Sequence, residues 1–121
     1  MDFLTVDAPL CGKRFYVFFI ICLETRKIVR FRATVRPERA FVRNQLYGFM
    51  YDRENTPCLI HDGSGEFVCQ RYDCLGIKNV RISPCSPNMN AFAERFIGSL
   101  RRECLNNFII FSYDHLCSLL R

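Results

Sequence analysis

The chain has 121 residues, enough for one domain around one core. Half of the residues are hydrophobic and 14% are aromatic, which excludes an intrinsically disordered segment. A formal net charge of +5 favours a polyanionic partner, and eight cysteines without a C-x-x-C pair give neither a zinc pattern nor a secreted disulfide framework.

Residues 2–7 form a β-prone run, broken by Ala8-Pro9-Leu10-Cys11-Gly12. Residues 14–23 are a continuous apolar and aromatic stretch, too short to span a bilayer and suited to a buried central strand. After the turn Glu24-Thr25-Arg26, residues 27–35 alternate as a strand with one more exposed face. Three strands with short connections predict an antiparallel meander. Pro37-Glu38-Arg39 predicts the opening turn of a helix running to about residue 52, with Phe41, Val42, Leu46 and Phe49 at helical spacing. Cys58 to His61 reads as a short buried strand, residues 66–75 as a short helix, and residues 79–82 as another strand. Residues 83–87 read as a loop, followed by a long helix over about 88–105 and a final helix beginning near Ser112. Cys22, Cys74 and Cys104 sit in apolar runs and are expected to be small core residues. With no signal-peptide pattern, a reducing cytosol is the expected compartment.

The order βββαβαβα predicts an α/β domain with a mixed five-stranded sheet flanked by helices. Asp62 follows a strand and precedes Gly63-Ser64-Gly65; it is either a functional carboxylate at a strand end or an ordinary Asp-Gly turn. Glu94 shares a helix side with Gly98, Arg101 and Arg102, opposite an apolar face of Phe92, Phe96, Ile97, Leu100 and Cys104. Charges on such a side are either a solvated face or a basic site. The first strand adds Asp2 on one face and Asp7 on the other. Three carboxylates from separate elements are hard-oxygen ligands suited to Mg²⁺ or Mn²⁺, and two such ions serve phosphodiester displacement. Arg95, Arg101 and Arg102 are candidates for holding a nucleic-acid backbone.

The chain resembles the integrase/transposase superfamily, whose catalytic core carries a D,D,E triad on an RNase H-like fold, and within it the integrase-core proteins of bacterial insertion elements. The resemblance rests on Asp-Phe-Leu-Thr-Val-Asp (2–7), Tyr-Val-Phe-Phe-Ile (16–20) with Glu-Thr-Arg-Lys (24–27), His-Asp-Gly-Ser-Gly-Glu-Phe (61–67), and Ser-Pro-Asn-Met-Asn-Ala-Phe-Ala-Glu-Arg-Phe (86–96) with Arg-Arg-Glu-Cys-Leu (101–105). It implies Asp2, Asp62 and Glu94 as the catalytic and metal-binding triad, with Asp7 the alternative first acid. It implies two Mg²⁺ or Mn²⁺ ions, cleavage and strand transfer of DNA in transposition, and a homo-oligomer working on element ends and target DNA without a membrane. Asn88 and Asn90 match small polar positions before the catalytic helix, and Arg95, Arg101 and Arg102 the basic DNA contacts. A nucleoid-associated cytoplasmic location follows. Against this pattern the stretch around residues 67–75 is short, and residues 1–121 are expected to be an integrase core shortened at both ends. The alternative is an inactive remnant that binds DNA or pairs with a full-length transposase.

Overall fold

The computed structural model describes residues 1–51, 55–68, 72–82 and 91–120. Its elements are β1 (Asp2–Ala8), β2 (Lys13–Ile21), β3 (Ile28–Thr34), α1 (Arg39–Met50), β4 (Cys58–His61), α2 (Gly65–Val68), β5 (Lys78–Arg81), α3 (Ala91–Glu103) and α4 (Tyr113–Leu119). The strands form a three-stranded antiparallel sheet in the order β1-β2-β3 and a two-stranded parallel sheet of β4 and β5. The fold is therefore mixed α/β, with the expected meander at its start. The two sheets meet where the Met1 amino group donates to the Ile60 carbonyl at 2.8 Å.

The aromatic run of β2 makes it the middle strand, because only a strand covered on both faces buries a continuous apolar stretch. Its alternation sends Phe15, Val17 and Phe19 into one cluster with Leu4, Val6, Ala8 and Leu116, onto which Phe96, Ile97 and Leu100 of α3 pack. Phe18 and Ile20 point into the other cluster, with Val42, Leu46 and Phe49 of α1, Leu59 of β4, and Phe67. Each fully buried Phe or Leu contributes about 1.5–3 kcal/mol by leaving water. The sheet thus lies between α1 and α2 on one side and α3 and α4 on the other. Tyr113 ties α4 down by donating to the Ala33 carbonyl at 2.9 Å, and Ser112 caps the helix by accepting from the His115 amide.

Four expectations change. The helix expected from Pro37 begins at Arg39, because Glu38 takes the extended cap position and the Thr34 hydroxyl holds the preceding residues by pairing with both backbone groups of Arg36. The segment expected to be one helix over 66–75 is a single turn at 65–68 and a 3-10 turn at Asp73–Leu75, with residues 69–71 outside the described ones. Cys74 is exposed on that 3-10 turn and Cys22 and Cys104 are half-buried, so none of the three is a core residue. Phe92 is also absent from the cluster that holds Phe96, Ile97 and Leu100.

Candidate active site

Asp62 follows the last residue of β4 and is exposed. Its carboxylate accepts from the Ser64 amide at 3.0 Å, so it shapes its own turn. Gly63 makes that turn possible with φ +83. Beneath it, His61 is 1% exposed, stacks on Tyr72 at 5.8 Å and accepts from the Gly63 amide through Nδ1 at 3.0 Å. Burial pushes the His61 pKa below its usual range, with Asn79 and Asp62 opposing and Arg81 reinforcing the shift. The ring is thereby kept neutral with Nδ1 as acceptor. Its Nε2 has no partner in hydrogen-bond geometry, although Asn79 lies close. Tyr72 completes the support by donating to the Phe67 carbonyl at 2.7 Å.

Arg81 stands opposite His61 in the parallel β4–β5 pair. Its side chain crosses so closely over Gly63 that a Cβ there would collide with it. A guanidinium and a carboxylate thus share the C-terminal end of two parallel strands, the edge where α/β sheets place ligands. The sequence reading missed Arg81; the signal for it was the parallel pairing of residues 58–61 with 78–81.

Asp2 pairs across the sheet with Phe19 and accepts from the Phe3 amide at 2.7 Å. The Met1 amino group reports where it lies relative to Asp62. Burial lowers the pKa of that amine, and the charges of Asp2 and Asp62 both push it back up. Two carboxylates therefore act on one partly buried cationic point. Asp7 is elsewhere: its carboxylate forms an exposed ion pair with Arg14 at 2.6 Å. Five residues along a strand separate it from Asp2 by roughly 17 Å.

Glu94 lies in the first turn of α3 and is exposed. Asp2 has the parity of Leu4 and Val6, which puts it on the sheet face that α3 covers. Phe19, opposite Asp2, packs its ring 4.9 Å from that of Phe96, two residues after Glu94. A cavity of about 270 Å³ between the sheets and α3 is lined by Met1, Ile60 and Ala93 among others. Met1 and Ala93 adjoin Asp2 and Glu94 in sequence, and Ile60 lies two residues before Asp62. Among the described residues, no group of three His, Cys, Asp or Glu side chains is close enough to hold a metal ion. What Asp2 and Asp62 share is their influence on the Met1 amine.

Arg95, Arg101 and Arg102 are exposed on α3, the last two in its final turn, where cations complement the helix dipole. Asn88 and Asn90 lie outside the described residues. No helix among the described residues is long and apolar enough to cross a membrane.

Residues 75–121 match the family model described as an integrase core domain. That segment carries β5, α3 with Glu94 and the arginines, and α4. The match supports an integrase/transposase catalytic core. No curated protein and no solved structure matches the chain.

Proposed function

We propose that the chain is the catalytic core of a metal-dependent polynucleotidyl transferase that cleaves DNA and transfers strands in transposition. The observation that carries the reading is the cavity whose lining includes Met1 and Ala93, next in sequence to Asp2 and Glu94, and Ile60, two residues before Asp62. The match over residues 75–121 supports the same reading from the helix that carries Glu94. In this account the fold is RNase H-like, β4 continuing the three-stranded sheet beside β1. The Met1–Ile60 hydrogen bond and the apolar cluster shared by Phe18, Ile20 and Leu59 support that arrangement.

Asp2 and Asp62 would hold Mg²⁺ or Mn²⁺, with Glu94 as the third ligand and Asp7 excluded by its pairing with Arg14. Bound there, divalent ions supply Lewis acidity toward a phosphodiester. The chain's own residues do the positioning. His61, Gly63 and Ser64 fix the turn that presents Asp62, and Arg81 offers a cation beside it for a phosphate oxygen. Arg95, Arg101 and Arg102, with Asn88 and Asn90 before the helix, hold the backbone of element ends and target DNA. Assembly as a homo-oligomer and a nucleoid-associated cytoplasmic location belong to the same reading.

That no three His, Cys, Asp or Glu side chains gather into a metal-holding group among the described residues favours a second reading, a non-catalytic core that binds DNA or pairs with a full-length transposase. Cleavage of supercoiled plasmid in Mg²⁺ or Mn²⁺ by the wild type, Asp62→Asn and Glu94→Gln decides between them. Nicking lost in both variants supports the transferase. A folded wild type that binds plasmid and never nicks it supports the second reading.

A further inference from the structure

Phe92 is the second residue of α3, yet its ring does not join the helix's apolar packing. Two guanidiniums from different elements converge on it instead: Arg26 at 5.6 Å and Arg95 at 5.8 Å from the ring centroid. Arg95 comes from the same helix, three residues on, which is an ordinary helical pairing. Arg26 comes from the β2–β3 turn, held by hydrogen bonds that the Cys22 amide donates to the Lys27 carbonyl and the Arg26 amide donates to the Cys22 carbonyl.

Arg26 has φ +58, the one positive φ outside glycine among the described residues. An arginine in the left-handed region is uncommon, and such strain persists where the surroundings impose it. Among the described residues, neither Arg26 nor Arg95 has a carboxylate within salt-bridge distance. Glu24 shares the turn but makes no such bridge, and Lys27 adds another cation there. A shallow groove of about 230 Å³ opens between the turn and the helix, walled by Ile21, Arg26, Phe92, Arg95, Phe96 and Ser99. Two like charges drawn to one ring repel each other, and an anion placed between them removes the repulsion. An aromatic ring beside the cations gives a base somewhere to stack.

We infer that this groove is a binding site for a single DNA strand, with phosphates bridging Arg26 and Arg95 and a base against Phe92. The inference rests on the DNA-processing reading above and adds to it the place where a strand that has left the duplex is held, two residues from Glu94. Neither Arg26 nor Phe92 was among the candidate site residues.

The test is fluorescence anisotropy of a labelled single-stranded oligonucleotide across a NaCl series. The proteins are the wild type, Arg26→Gln, Arg95→Gln, the double variant, Phe92→Leu and Arg14→Gln, with circular dichroism to confirm folding. Each lost phosphate contact lowers the slope of log K against log salt by about 0.7 for single strands. Arg26→Gln and Arg95→Gln are each expected to lower it by that amount, their combination by about twice that, and Arg14→Gln not at all. Phe92→Leu keeps the apolar bulk and removes the stacking ring, so it weakens binding by on the order of 10-fold with the slope unchanged. Salt-dependent wild-type binding with unaltered slopes in both arginine variants overturns this inference and leaves the DNA reading standing. A folded wild type without salt-dependent DNA binding overturns both.

Discussion

Replacing Gly63 with alanine perturbs the turn that presents Asp62 through two separable terms. At φ +83 an L-residue is strained, by about 1–2 kcal/mol. The new Cβ also meets the Arg81 side chain, whose Cδ and Cζ would lie 3.1 and 3.0 Å away. Moving Arg81 off its rotamer costs about 0.5–1.5 kcal/mol. Reduced freedom of the unfolded chain returns about 0.4–1 kcal/mol. The net loss is about 0.5–3 kcal/mol, which for a chain of this length lowers Tm by about 2–12 °C. Gly12 and Gly76 supply the control, because both have positive φ and nothing within 4 Å of an added Cβ. Urea unfolding is expected to rank Gly63→Ala as the most destabilised, with Gly12→Ala and Gly76→Ala equal to each other and m unchanged in all three. A Gly63→Ala midpoint equal to that of the two controls would refute the claim that Arg81 lies across the Asp62 turn.

Two further outcomes follow from the same site. His61 has a folded pKa below its ordinary value of 6.5, so the unfolded chain binds more protons and stability falls as pH drops below that value. Above it the term is flat. His61→Asn keeps an acceptor for the Gly63 amide without titrating, so its urea midpoint declines less steeply than the wild type's between pH 7 and 5; parallel declines would show that His61 is not the titrating group. Phe67 is 1% exposed and its ring lies 5.6 Å from that of Phe3 and 5.5 Å from that of His61. Phe67→Ala is expected to cost about 3–5 kcal/mol, read by chemical denaturation, and a loss below 1 kcal/mol would mean that the described packing around the Asp62 turn is wrong.

Much of the framework was legible because it depends on local pattern. A nine-residue apolar run has to be a central strand, and β2 is one, pairing with β1 and β3 on either side. The helical spacing of Val42, Leu46 and Phe49 likewise became the buried face of α1. What local pattern does not contain is the arrival of groups from elsewhere. Phe92 has the spacing of a core residue, and only the approach of Arg26 from the turn after β2 gives its ring a different environment. Arg81 reads as one charge on a short strand until the parallel register sets it against His61. In the sequence Asp2 and Asp7 lie on opposite faces of one strand, and only the resemblance prefers Asp2. Arg14 across the hairpin engages Asp7, while the sheet junction at Met1 and Ile60 brings Asp2 near Asp62.

The central claim is that Asp2, Asp62 and Glu94 hold one divalent-metal site. Titration calorimetry of Mn²⁺ into the wild type, Asp2→Asn, Asp7→Asn, Asp62→Asn and Glu94→Gln tests it directly. The account predicts saturable binding by the wild type and Asp7→Asn, and its loss in the other three variants. Binding that survives Asp62→Asn or Glu94→Gln in a folded protein, or that disappears in Asp7→Asn, would contradict it.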